Sequence, residues 1–174
     1  MPLRDTLSRL QEQQKRESQA ISDRPALIAE WKSAVDELFI KIREYLGEYI
    51  REGSLSVKDR HVRLTEESLG TYEVDAMDIH AGPIIILVQP VGLMVIGAAG
   101  RVDMHRQGRP SEQHRVMLLR APESKDNPSL AWFINYPSEA TPQMVFKYQF
   151  PVATRKVTPL TKEALEEAVE FLLK

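Results

Sequence analysis

The spacing of apolar positions changes twice along the chain and divides it into three parts. Between residues 2 and 21, Leu3, Leu7 and Leu10 recur at intervals of four and three, and Ile21 falls on the same register. That is the spacing of one helical face. Gln14 and Glu17 occupy the positions between, so the seam lapses. A helix of this kind is marginal in water unless something covers its leucines. The run Asp23-Arg24-Pro25 predicts a break and a restart. Ser22 or Asp23 is placed to cap a second helix, and Pro25 suits a first turn, where its missing N–H has no partner to lose. The expected organisation is a helical arm, residues 1–22, attached to a single domain, residues 23–174.

From Ile28 the stripe is continuous. Ile28, Trp31, Val35, Leu38, Ile42, Tyr45 and Tyr49 alternate by three and four, and Phe39, Leu46 and Ile50 widen the face. A stripe this wide predicts a helix lying on a core rather than a two-stranded seam. Over residues 25–51 it would be about 40 Å long, and Gly53 is placed to end it.

Beyond Gly53 the period becomes two. Val62 and Leu64 predict a short strand, and Gly70 opens a longer one. Tyr72 and Val74 have the opposite parity to Met77 and Ile79. One extra residue near Ala76, a bulge, would return all four to one face. Glu73, Asp75, Asp78 and His80 would then share the outer face. Gly82-Pro83 marks a turn, and residues 84–88 are continuously apolar, as in a central strand. Pro90 and Gly92 interrupt that run. Val102 and Met104 face one way, while Arg101, Asp103 and His105 face the other. Residues 116–119 return after a polar loop. Leu130, Trp132, Ile134 and Tyr136 form another face, and Met144, Phe146, Tyr148 and Phe150 a further one. Pro159 precedes a helix with Leu165, Ala168, Val169 and Leu172 on one side, capped by Thr158 or Thr161. Helices, a run of strands and a closing helix predict an α+β fold: N-terminal helices and a C-terminal helix packed on a mainly antiparallel sheet of about six strands.

Composition narrows the function classes. A chain of 174 residues buries roughly 70% of the surface exposed when unfolded, so it folds without a disulfide or metal staple. It contains no cysteine, which excludes thiolate ligands and a cysteine nucleophile. The net charge of −2 is not that of a dedicated nucleic-acid binder. The N-terminus is dense in charge and glutamine with no apolar signal-peptide core, and no apolar run is long enough to span a bilayer. A cytoplasmic location without membrane partners is expected.

Three features are candidate chemistry. Glu66, Glu67, Glu73, Asp75 and Asp78 form an acidic stretch ending in His80, and oxygen ligands of this kind bind Mg²⁺. Asp103 and His105 are the obvious second contributors, but an intervening 84–88 strand would hold the two sets about 9–10 Å apart, too far to share one ion. Arg101, Arg106, Arg109, Arg115 and Arg120, with His105 and His114, form a basic hairpin opposed only by Asp103 and Glu112. Guanidinium favours planar contacts with phosphate or carboxylate, yet no aromatic residue is interleaved for base stacking. The hairpin and the acidic stretch are also placed to neutralise each other across the sheet. Gly92, Gly97 and Gly100 match no phosphate-binding loop, and no nucleophile elbow or zinc-protease motif occurs.

The expectation is a non-enzymatic interaction protein (an adaptor, an inhibitor or immunity-like protein, or a complex subunit) using no cofactor. It binds a protein partner or a second copy through Leu3, Leu7 and Leu10 of the arm and a charged sheet face. The alternatives are an anion- or nucleic-acid-binding module using Arg101, Arg106, Arg109 and Arg115, and an enzyme with a site near residues 73–80.

Overall fold

A computed structural model of the chain describes residues 3–95, 97–137 and 155–174. The elements run in order: helix α1, Leu3–Tyr45; a one-turn α2, Gly47–Arg51; strands β1, Ser56–Glu66, β2, Gly70–Ala81, β3, Ile84–Gly92, β4, Arg101–Arg106, β5, Arg115–Pro122, β6, Leu130–Pro137, and β7, Arg155–Pro159; and helix α3, Lys162–Leu173. The seven strands pair in sequence order, each antiparallel to its neighbours. The fold is α+β, as expected, with seven strands rather than about six. The expected strand at Met144–Phe150 lies outside the described residues.

The stripe is buried as its spacing requires, although the helix expected to run to residue 51 is divided, α1 ending at Tyr45 and α2 following from Gly47: Trp31, Val35, Leu38 and Ile42 are fully covered, and Phe39, with Leu46 at the junction, nearly so. On α3, Leu165, Ala168, Val169 and Leu172 are buried, and Thr161 caps the helix by accepting the Ala164 N–H at 3.1 Å. α1 packs on β2, while α3 packs on β4, β5 and β6. Between helices and sheet lie Met77, Ile79, Ile86, Val88, Val102, Met104, Val116, Leu118, Trp132 and Ile134. The two tryptophans stack obliquely, with ring centroids 6.2 Å apart and planes at 38°. Gly100, with φ of 133°, brings the backbone against this pair: a Cβ there would lie 2.3 Å from the Trp31 ring. Only glycine combines that dihedral with that approach.

Three local expectations are overturned. The break at Asp23-Arg24-Pro25 does not occur, because α1 runs through Pro25 without interruption. Ser22 and Asp23 do not cap a new helix. The Ser22 hydroxyl donates to the Gln19 carbonyl at 2.8 Å, and Asp23 accepts from the Gln19 amide at 3.1 Å, four residues back. Proline removes one ladder hydrogen bond, and the turns on either side continue. Nor is there a bulge at Ala76. The β1–β2 register is unbroken from Ser56↔His80 to Glu66↔Gly70. Instead the buried face changes along β2, from Tyr72, Val74 and Ala76 to Met77 and Ile79. Pairing with β3 extends only from Ala81↔Ile84 to Met77↔Val88. Beyond Met77 the β1–β2 ribbon leaves β3, and its twist turns the other face inward. The register shift falls in β3, between Pro90 and Gly92, so that strand continues where an interruption was expected. Pro90 sits past the end of β2 pairing, where a strand with one neighbour tolerates a missing N–H.

Candidate functional site

Helical geometry places Leu3, Leu7 and Leu10 on one side of α1. All three are exposed, at 74%, 50% and 54%. Among residues 3–19 every side chain is exposed except the half-buried Thr6. Because α1 is continuous, these residues are carried on the same rod as the buried Trp31–Ile42 stripe. Its 43 residues extend about 65 Å. On α1, Leu27 and Ile28 pack against the core, and Leu10 lies about 25 Å along the helix from Leu27.

The arginines of the hairpin divide into two groups. On the outer sheet face Arg101 donates twice to Asp103, at 2.7 and 2.9 Å, and Arg115 reaches its second oxygen at 3.3 Å. Asp103 is the buried charged residue of the described chain, at 7% exposure, so two guanidinium groups compensate its desolvation. Arg120 pairs with Glu30 of α1 at 3.2 Å. Arg106 and Arg109 make no ion pair among the described residues; they lie with His114 beside Phe171, Leu172 and Lys174 at the end of α3. The neutralising carboxylates are thus Asp103 and Glu30, not the acidic stretch.

The acidic stretch is neutralised by its own hairpin partner. Asp78 accepts from Arg60 at 3.0 Å, Asp75 meets His61 at 2.6 Å, and Glu73 meets Arg63 at 3.4 Å. With no bulge, Glu73 and Asp75 face one side of β2 and Asp78 and His80 the other, so the expected single acidic face is not formed. β3 separates β2 from β4. Among the described residues no group of three histidines or carboxylates is arranged to hold a metal ion. Glu66 has a structural job: its carboxylate accepts the Leu93 and Met94 N–H groups at 3.1 and 2.8 Å and the Tyr72 hydroxyl. Burial, then the adjoining Glu66 carboxylate, pushes the Tyr72 hydroxyl pKa well above the ordinary phenol value.

One feature was not anticipated from the sequence. Between α2, the start of β1 and α3 lies an open cleft of about 600 Å³. Leu46, Leu55, Val169 and Leu173 line its floor, and Glu163, Glu166, Glu167 and Glu170 its rim. Tyr49 donates to Glu166 at 3.2 Å and Tyr136 to Glu167 at 2.9 Å, which fixes two of the carboxylates. The Tyr49 hydroxyl is accordingly held above its ordinary pKa, first by its hydrogen bond to Glu166 and then by that carboxylate's charge. Lys162 lies between Glu48 and Glu166, and Lys174 pairs with Glu170 at 2.8 Å. The glutamates recur at helical spacing beside the buried stripe of α3, which is the signal a sequence carries for such a rim. Its floor comes from other elements and has no local signature.

No protein-family model, curated protein or solved structure matches this chain. No helix among the described residues is long and apolar enough to cross a membrane.

Proposed function

We propose that the chain is a protein-interaction module in which the first five turns of α1 dock on a protein surface through Leu3, Leu7 and Leu10. One observation carries this reading: three leucines at helical spacing, each at least half exposed, stand on a rod whose other end is locked into the core. Isolated exposed leucines are ordinary, but a stripe presented away from the body is the form in which an amphipathic helix enters an apolar groove. Continuity through Pro25 supports the reading further. A rod fixes the direction of the stripe and lowers the ordering cost that a flexible arm would bring to binding.

The test is affinity capture from native-host lysate with the full chain and with a chain lacking residues 1–21, each with and without nuclease. A stoichiometric protein captured by the first and lost from the second supports the reading. Nuclease-sensitive recovery, or identical capture by both chains, overturns it.

A further inference from the structure

The basic hairpin of β4 and β5 is divided by its counter-charges. Arg101 and Arg115 share Asp103, and Arg120 meets Glu30. Arg106 and Arg109 meet no carboxylate among the described residues, although Arg106 is half-buried. Val102 and Met104 face the core, and Arg106 continues their side of β4, opposite the buried Ile86. Its guanidinium is thus carried to the rim of the apolar layer, where a cation without a counter-charge is costly. Arg109 is held three residues further on by a turn: its N–H donates to the Arg106 carbonyl at 2.9 Å, with Gly108 at a φ of 84°. The His114 ring meets the Ser111 hydroxyl through Nδ1 at 2.8 Å, which leaves Nε2 on the other side of the ring.

Arg106, Arg109 and His114 line one hollow with Phe171, Leu172 and Lys174, and no aspartate or glutamate lines it. Lys174 is engaged with Glu170 at 2.8 Å. The last carbonyls of α3 bring a partial negative charge of about half a unit, less than the two full charges of the arginines, so the hollow stays positive. Its volume of about 20 Å³ is little more than the ~10–15 Å³ that one water needs. It admits the oxygens of an oxyanion and excludes a base or a helix. Guanidinium forks match phosphate oxygens in pairs, and two such charges balance a dianion. We propose that Arg106, Arg109 and His114 form a binding site for the phosphate group of a small molecule, free or esterified, with any organic part lying outside the hollow. The site is on the body of the fold and does not depend on the docking role of the arm.

The test is titration of the isotope-labelled full chain with inorganic phosphate and with phenyl phosphate, at fixed pH and ionic strength, followed by backbone amide chemical shifts. Saturable shifts confined to residues 105–115 and 170–174 are expected. Arg106→Gln/Arg109→Gln is expected to weaken binding about tenfold or more. Arg51→Gln/Arg63→Gln removes the same charge at exposed positions elsewhere and should bind as the unaltered chain does. The spectra themselves report whether each variant is folded. Tighter binding of phenyl phosphate assigns the site to an ester, and tighter binding of inorganic phosphate assigns it to the free ion. The inference is overturned if neither probe gives saturable shifts, or if the shifts spread over cations outside the hairpin. It is equally overturned if the Arg106/Arg109 variant keeps the affinity of the unaltered chain, or if the Arg51/Arg63 variant loses as much.

Discussion

Replacing Gly100 by alanine perturbs the point where α1 meets the sheet. Two costs are separable there. The φ of 133° is unfavourable for any residue with a Cβ, and the new methyl would lie 2.3 Å from one atom of the Trp31 ring and 2.9 Å from another. Residues held in such dihedrals cost about 1–3 kcal/mol. Overpacking a filled core adds about 1–3 kcal/mol. Trp31 has no room to retreat: it is fully buried and lies against Trp132. Gly100→Ala is therefore expected to destabilise the fold by about 2–6 kcal/mol, a fall in Tm of roughly 4–24 °C for a chain of this size. Gly97→Ala is the control, since Gly97 has a φ of 80° but nothing within 4 Å of an added Cβ. It bears the dihedral cost alone, about 1 kcal/mol. Thermal and urea unfolding followed by far-UV circular dichroism avoids reading the tryptophans themselves. Equal destabilisation by the two substitutions would refute the argument that close approach to Trp31 dictates glycine at position 100.

Asp103→Ala removes the carboxylate that both Arg101 and Arg115, each about one-quarter exposed, contact on the sheet face. A loss of about 2–4 kcal/mol is expected, somewhat below that of a fully buried pair. Asp59→Ala, which removes an exposed partner of Arg43, should cost less than about 1 kcal/mol, and urea midpoints compare the two. Tyr72 has a folded-state pKa raised by burial and by Glu66, so the protonated phenol is the form that folding favours. The stability it contributes is complete below the unfolded phenol pKa of about 10 and is lost as the pH rises from there through the folded value. Tyr72→Phe should flatten that alkaline limb of a stability–pH curve. Pro25→Ala restores an N–H for the helix ladder. It should slow amide exchange in the turns around residue 25, and unchanged exchange there would contradict the account of a helix weakened locally by proline.

Much of the architecture was legible because it depends on which side of an element is buried. The stripe from Ile28 to Ile50 across α1 and α2, the α3 face and the alternation in β4 and β6 state their buried sides directly. Other features depend on balances that periodicity does not encode. At Pro25 a local rule predicts a restart, yet one missing hydrogen bond is not enough to divide a helix whose next turns are anchored by Trp31 and Val35. At Ala76 and Met77 a change of parity has two physical solutions, an extra residue or a twist. The second prevails because β2 keeps pairing with β1 while parting from β3. The Arg101–Asp103 pair is local, since residues two apart on a strand share a face. The Arg115 contact requires the β4–β5 register. The cleft was missed because no single segment builds it: Leu46 and Leu55 come from the end of the helical layer, and the glutamates come from the other end of the chain.

The central claim is that the leucine stripe, and not merely the presence of an arm, makes the contact. Leu3→Ser/Leu7→Ser/Leu10→Ser keeps every charge of the arm and removes only its exposed apolar side chains, so the core and the Tm should be unaffected. The most direct measurement is quantitative affinity capture of partner protein from host lysate, comparing this variant with the unaltered chain at equal loading. The account predicts loss of the partner with an unchanged unfolding curve; full retention of the partner by the serine variant would contradict it.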